Sequence, residues 1–109
     1  MTEPKLPIQL ISPLFLEGLA TVLQYGANKY ASNNWLRGMS YTTVFGGVMR
    51  HLWAWFRGET YDPETKLNHL YHAACGLMFL AHYAETEGYG MFDDRVFKIP
   101  EPVKEEDLV

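Results

Sequence analysis

The chain has 109 residues, of which 48% are hydrophobic and 20% are charged, and its formal net charge is −4. This composition is typical of one globular domain over residues 1–109 and excludes a strongly basic protein that binds nucleic acid. The single cysteine, Cys75, excludes an intrachain disulfide and a cysteine-based zinc site, and because no apolar run is long enough to span a membrane, we expect a cytoplasmic protein without a membrane partner.

The first predicted helix follows a proline-interrupted lead-in over residues 1–11. Ser12 is a favoured N-cap residue, and Pro13 is a favoured first residue of a helix. Apolar side chains then recur at helical spacing. Gly26 predicts the end of this helix, although the pattern also allows it to continue toward Tyr30.

The second predicted helix runs from Ser40 to about Arg57, with Gly58 as its C-terminal cap. A polar turn follows this helix. The Asp62-Pro63 pair keeps that turn out of a helix, because the residue before a proline disfavours helical geometry.

The third predicted helix runs from about Thr65 to Glu87, and residues 91–109 are expected to be extended or partly disordered. The expected fold class is all-α: a small bundle of about three main helices, in which a helical hairpin packs against a third helix. Aromatic residues make up 15% of the chain, so we expect a partner subunit or a ligand to cover some of the rings.

The charges are distributed unevenly along the chain. Between Gly18 and Gly58 there are four basic residues and no acidic one. A segment without carboxylates attracts anions, but this one has too few basic residues to predict nucleic-acid binding. The pattern favours a small polyanion such as a nucleotide.

The connection between the first two helices, YGANKYASNNW, has an unusual composition. Lysine and arginine contact phosphates, aromatic rings stack on bases, and asparagine hydrogen-bonds base edges. The candidate substrate-binding residues in and after this loop are Lys29, Tyr30, Asn34, Trp35 and Arg37. The alternative is a structural connection whose aromatic rings fill the core and whose asparagines form turns.

Arg50 and His51 are a second candidate group, since they lie next to each other in the predicted second helix. They face a ligand pocket in one interpretation. In the other they belong to a solvated helix face, with the arginine lying over Trp53 or Trp55.

The third candidate group is the polar turn and the histidines that follow it. It consists of Glu59, Asp62, Glu64, His69 and His72. Carboxylates are the ligands that Mg²⁺ prefers, and histidines three residues apart share one side of a helix. The alternative is structural, with acidic residues that stabilise the start of the helix and a hydrogen-bonded pair of histidines.

Three segments together carry a resemblance to a known family: YGANKYASNNWLRG, RHLWAWFRGETYDPET and LNHLYHAACGLMFL. They resemble the N-terminal domain of phage and bacterial dATP/dGTP diphosphohydrolases, a small all-α group described as MazG-like. The resemblance implies hydrolysis of a purine deoxynucleoside triphosphate to its monophosphate and pyrophosphate, with Mg²⁺ as the cofactor. It also implies a homo-oligomer, a dimer or a tetramer, in the host cytoplasm if a phage encodes the chain.

The resemblance and the charge pattern together suggest a role for each candidate. The predicted metal ligands are Glu59 and Asp62, and the predicted catalytic residues are Glu59, Asp62, His51, His69 and His72. The predicted phosphate contacts are Lys29, Arg37 and Arg50, and the predicted base contacts are Tyr30, Asn34 and Trp35. The E-E-x-x-E pattern of typical MazG proteins is absent. A non-catalytic protein that sequesters a nucleotide or a nucleotide-derived signal is therefore the alternative, and a helical assembly module without a ligand is a third interpretation.

Overall fold

The computed structural model describes residues 5–99 of the chain. Three α-helices form within these residues: α1 (Pro13–Lys29), α2 (Tyr41–Phe56) and α3 (His69–Glu85). Short 3-10 turns cover Ile8–Leu10, Asn34–Arg37 and Gly90–Phe92. Residues 5–99 contain no β-strand, and the predicted all-α class with three main helices is confirmed. None of the described helices has the length and apolar character needed to cross a membrane.

The start of α1 is the predicted one. Ser12 is the N-cap, its hydroxyl accepts a hydrogen bond from the backbone N–H of Phe15 at 3.2 Å, and Pro13 is the first helical residue. The helix continues past Gly26 to Lys29, because the N–H of Tyr30 still bonds to the carbonyl of Gly26.

The bounds of α2 also agree with the prediction to within a residue. Ser40 is its N-cap and accepts a hydrogen bond from the N–H of Thr43 at 3.2 Å. Gly58, which follows the helix, has a φ of +102°, a backbone conformation that glycine adopts without the strain of a Cβ atom.

The predicted start of α3 at Thr65 is wrong, because the helix begins at His69 with Asn68 as its N-cap. A side-chain carboxylate organises the intervening residues into a turn. Asp62 Oδ1 accepts the N–H groups of Glu64 at 2.8 Å and Thr65 at 2.9 Å. Lys66 then has a φ of +66°, which a helix does not tolerate. The helix therefore starts one turn later than the hydrophobic pattern predicts.

Helices α2 and α3 form an antiparallel hairpin, and their contact contains most of the described core. Val48 of α2 packs against Gly76 of α3, and the ring of Tyr41 stacks on Tyr83 at a centroid distance of 5.9 Å. Cys75 of α3 is also buried, and burial raises the pKa of its thiol to about 11. Helix α1 packs against α3, so the predicted hairpin with a third helix is confirmed.

Residues 90–94 pack back onto the hairpin, and all of them except Gly90 lie in the segment that we expected to be extended or partly disordered. The ring of Phe92 lies against Gly38, and Asp94 Oδ1 accepts a hydrogen bond from the N–H of Thr42 at 2.9 Å. Residues 100–109 of the predicted tail lie outside the described residues.

Candidate functional site

The α2–α3 turn and the helix ends beside it bring together three of the four histidines of the chain. His51 lies one and a half turns before the end of α2, and His69 and His72 lie in the first turn of α3. Because the two helices are antiparallel, these positions are neighbours in space. His51 Nδ1 lies 2.8 Å from His69 Nδ1, and the rings of His51 and His72 stack at 4.6 Å with an angle of 8° between them.

Glu59 fixes the orientation of His69, a ring that is only 4% exposed. An ionised carboxylate accepts hydrogen bonds and donates none, so His69 Nε2 donates to Glu59 Oε1 at 2.7 Å. In the neutral ring, His69 Nδ1 then has a lone pair and accepts from His51 Nδ1. This chain of hydrogen bonds leaves His51 Nε2 with a free lone pair.

Asp62 completes the cluster from the turn. His51, Asp62 and His69 each offer one ligand atom, and these three atoms lie within 4.8 Å of one another. Burial opposes ionisation of Asp62, but the N–H groups of Thr65 and Glu64 outweigh it and hold the pKa of this carboxyl below its ordinary value. The carboxylate is therefore charged at neutral pH.

Two of the imidazoles are uncharged under the same conditions. Burial is the main reason why the pKa values of His51 and His72 lie below the ordinary 6.5, and neighbouring histidines lower both further. His72 Nε2 lies 2.7 Å from Thr65 Oγ1, which fixes its ring. Neutral imidazoles are ligands for metals and acceptors for protons.

The end of α1 lies beside the acidic side of this turn. Tyr25 donates a hydrogen bond from its hydroxyl to Glu64 Oε1 at 3.2 Å. The nearby Tyr30 is the main reason why the pKa of the exposed Lys29 is raised, and Glu64 contributes as well. Of the predicted phosphate contacts, Lys29 is thus the one that the structure places near the turn.

Trp35 lies elsewhere, against the C-terminal half of α3. Its ring stacks on Phe79 at 4.9 Å, and its carbonyl accepts a hydrogen bond from the hydroxyl of Tyr83 at 2.5 Å. Phe79 is about two helical turns from His72. One face of Trp35 is therefore occupied by the chain's own core, as the structural interpretation of the loop expected.

The other predicted substrate contacts are exposed and do not join the cluster. Arg50 lies in a surface groove of α2 with Met49, Trp53 and Arg57. Tyr30, Asn34 and Arg37 are exposed in the connection between α1 and α2. The structure thus brings together all five predicted catalytic residues, with Lys29 close by, and leaves the rest of the predicted binding surface apart.

Sequence reasoning missed two residues of this region, Thr65 and Tyr25. The spacing of Asp62 and Thr65 is a local signal for the first, because an aspartate in a turn accepts N–H groups two and three residues on. The hydrogen bond of Tyr25 to Glu64 joins residues 39 positions apart, so no local signal predicts it.

The fold and the cluster define a class: a small all-α protein with histidines and carboxylates gathered at the turn of a helical hairpin. Residues 1–95 match the family described as "dATP/dGTP diphosphohydrolase, N-terminal", and the chain belongs to this family, as the resemblance implied.

A curated relative shows how much of a longer protein the chain represents. The protein named "dATP/dGTP diphosphohydrolase" from Salmonella phage PMBT28 is 41% identical to the chain over 78 residues. The match covers 72% of this chain and 27% of that protein, so the chain spans about a quarter of the relative's length. No solved structure matches the chain.

The expected Mg²⁺ ion does not fit the ligand atoms of this cluster. Mg²⁺ prefers oxygen ligands in a near-octahedral arrangement. The two predicted ligands do not form such a set, since Glu59 accepts a hydrogen bond from His69 and Asp62 is grouped with two imidazoles. The cluster thus offers two nitrogen atoms and one carboxylate oxygen.

Proposed function

We propose that this chain is part of a nucleotide hydrolase that converts a purine deoxynucleoside triphosphate, dATP or dGTP, into its monophosphate and pyrophosphate. Membership of the family and the printed name of the phage relative support this proposal. The observation that carries it is the convergence of His51, Glu59, Asp62, His69 and His72, from two helices and a turn, at one place.

The chemistry of these groups suits hydrolysis at the α-phosphorus. A water oxygen forms a bond to phosphorus, the bond to the bridging oxygen breaks, and pyrophosphate leaves with that electron pair. The water must also lose a proton, and imidazole nitrogens held by carboxylates or hydroxyls are common acceptors. The His72–Thr65 pair has this arrangement.

The negative charge of the turn favours binding of the triphosphate as its Mg²⁺ complex. Glu59, Asp62 and Glu64 would repel a free triphosphate, and Lys29 supplies one positive charge beside them. A triphosphate that carries Mg²⁺ on its own oxygens avoids most of this repulsion. We therefore assign Mg²⁺ to the substrate complex, while Arg37 and Arg50 remain proposed phosphate contacts and Tyr30, Asn34 and Trp35 remain proposed base contacts.

The test is to incubate the purified 109-residue chain with each of the four deoxynucleoside triphosphates and Mg²⁺, and to measure monophosphate and pyrophosphate. We expect product from dATP and dGTP, and its loss in His72→Gln but not in His82→Gln, the matched change of a histidine outside the cluster. Calorimetry with a non-hydrolysable dGTP analogue separates binding from turnover.

Two results would contradict this function. Binding of the analogue without product from any triphosphate favours the alternative, a protein that sequesters a nucleotide without hydrolysing it. Neither binding nor product from a helical, folded chain would exclude both nucleotide functions.

A further inference from the structure

We propose that His51, Asp62 and His69 form a binding site for a first-row transition-metal ion such as Mn²⁺, Fe²⁺, Co²⁺ or Zn²⁺, rather than for Mg²⁺, and that Glu59 is the positioning residue of this site. The proposal goes beyond nucleotide hydrolysis, because metal binding by this cluster is measurable without any nucleotide.

The distances of the cluster suit one small ion. Metal–nitrogen and metal–oxygen bonds in proteins are about 2.0–2.2 Å long, so ligand atoms around one ion lie about 3–4 Å apart. The three ligand atoms already lie within 4.8 Å of one another. The Nδ1 atoms of His51 and His69, 2.8 Å apart, would subtend an angle of about 85° at an ion bonded to both at about 2.1 Å. Such an angle is close to that between neighbouring ligands in an octahedron.

His51 and His69 can bind one ion without either imidazole losing or gaining a proton. His69 keeps its Nε2 hydrogen for Glu59 and offers the lone pair of Nδ1. The hydrogen of His51 moves from Nδ1 to Nε2, and the bonds to the ion replace the hydrogen bond between the rings. Both imidazoles remain neutral, which is the form that binds metals.

Two further groups hold the ligands in place. A carboxylate that accepts a hydrogen bond from the second ring nitrogen of a metal-bound histidine orients the ring and makes it a better ligand, and Glu59 has this position behind His69. The hydrogen bonds that Asp62 accepts from Glu64 and Thr65 within residues 5–99 all involve Oδ1. In this part of the chain, Oδ2 therefore stays available to an ion.

The kind of ligand decides which ion the site prefers. Imidazole nitrogen suits Mn²⁺ through Zn²⁺, whereas Mg²⁺ prefers oxygen alone and keeps much of its water. Two histidines and one carboxylate on one side of an ion leave its other positions open for water or for a phosphate oxygen. The site thus combines transition-metal selectivity with room for a ligand.

Cobalt binding tests the proposal directly. The 109-residue chain is stripped of metal with a chelator, the chelator is removed, and Co²⁺ is titrated while heat and visible absorption are recorded. We expect one Co²⁺ per chain with the ligand-field absorption of nitrogen-bound cobalt, and no displacement by a hundredfold excess of Mg²⁺.

Four variants assign the site to its residues. His51→Gln and Asp62→Asn should lower the Co²⁺ affinity by more than about 100-fold, and Glu59→Gln, which keeps a hydrogen-bond acceptor for His69, by about 10–100-fold. His82→Gln is the matched control and should bind as the unchanged chain does. Asn at position 62 still offers an oxygen to the turn, and circular dichroism at 222 nm checks that each variant is folded.

Three outcomes would overturn this inference. They are the absence of bound Co²⁺ in the folded, unchanged chain, displacement of Co²⁺ by equimolar Mg²⁺, and equal losses of affinity in His82→Gln and His51→Gln. Because no nucleotide is present, failure here leaves hydrolysis of dATP or dGTP to be judged by its own assay.

Discussion

Gly18 shows how a single missing side chain sets the distance between two helices. It is buried in α1, where an added Cβ would overlap the ring of Tyr71 in α3. Gly26, two turns further along the same helix, has no atom within 4 Å of the place where its Cβ would lie. A side chain at position 18 would therefore disturb the packing of α1 on α3, whereas a side chain at position 26 would meet no other atom.

We predict opposite changes in stability when these glycines are replaced. Gly18→Ala should lower the free energy of unfolding by about 1–3 kcal/mol, because the methyl group displaces Tyr71. Gly26→Ala should raise it by about 0.5–1 kcal/mol, since alanine restricts the unfolded chain and favours the helix. Urea unfolding followed by circular dichroism measures both, and two changes of the same sign would contradict the described packing of α1 on α3.

The hydroxyl of Tyr83 connects the core to the α1–α2 connection. The side chain is 1% exposed and donates its hydrogen bond to the carbonyl of Trp35. Tyr83→Phe should cost about 0.5–1.5 kcal/mol of unfolding free energy, because it removes this hydrogen bond, while the carbonyl of Trp35 keeps the N–H of Gly38 as a partner. Tyr30→Phe, at an exposed tyrosine in the same connection, should change it by less than about 0.5 kcal/mol. Guanidinium unfolding compares the two variants, and equal effects would show that the Tyr83 bond contributes nothing.

At the scale of the element, α2 has a cap that comes from a distant part of the sequence. Its first turn contains no acidic residue. Asp94 supplies the missing negative charge, since its carboxylate accepts from the Ser40 hydroxyl at 2.5 Å and from the Thr42 N–H at 2.9 Å. These contacts lower the pKa of Asp94 to about 2 from the ordinary 3.8.

This cap predicts a pH dependence of stability. A carboxyl group whose folded-state pKa is depressed stabilises the folded chain above its unfolded pKa, near 3.8, and loses that contribution as the pH falls through about 2. Asp94→Asn removes the charge. The difference in unfolding free energy between the unchanged chain and the variant should therefore be largest at pH 6 and should decrease as the pH falls from 4 to 2. Thermal unfolding at several pH values measures this difference, and a difference that stays constant would mean that the charge of Asp94 is not involved.

The start of α3 shows the limit of element prediction. The apolar residues just before the helix continue the spacing of those inside it. The hydrophobic pattern alone therefore predicted a start at Thr65. The hydrogen bonds of Asp62 and the left-handed backbone at Lys66 keep residues 62–66 out of the helix. Asn68 then caps the helix through a hydrogen bond from the N–H of Leu70 at 2.8 Å.

At the scale of the whole molecule, α2 leaves much of its apolar surface exposed. The large side chains on its exposed positions are Phe45, Met49, Trp53, Trp55 and Phe56. Exposed apolar patches are typical of contact surfaces, and this is the observation that favours the homo-oligomer implied by the resemblance. The dimer or tetramer itself stays a prediction.

Sedimentation of the 109-residue chain tests this assembly. We expect the mass of a dimer or tetramer, and a shift toward the monomer in Phe56→Asp, because a charge at a side chain that is 74% exposed opposes burial by a second copy. Lys66→Asp, at an exposed position of the turn, is the control. A monomeric mass for the unchanged chain at high concentration would exclude the oligomer.

The sequence by itself determined the class of fold, the start of α1 and both ends of α2, because the signals for these are local. Ser12, Ser40 and Gly58 act on atoms within a few residues of themselves, and the hydrophobic spacing of each helix needs no partner to be recognised. The family, too, follows from the order of short segments along the chain.

Only the tertiary structure decided which polar residues share a site. His51 and His69 are 18 residues apart and meet because α2 and α3 are antiparallel, whereas the ring of Trp35 packs on Phe79 and His82, away from these two histidines. The same folding makes Glu59, an expected metal ligand, the hydrogen-bond partner of His69, and its role as a metal ligand stays a prediction. Distances between side chains on different helices depend on how the helices pack, and residue spacing along the chain does not contain that information.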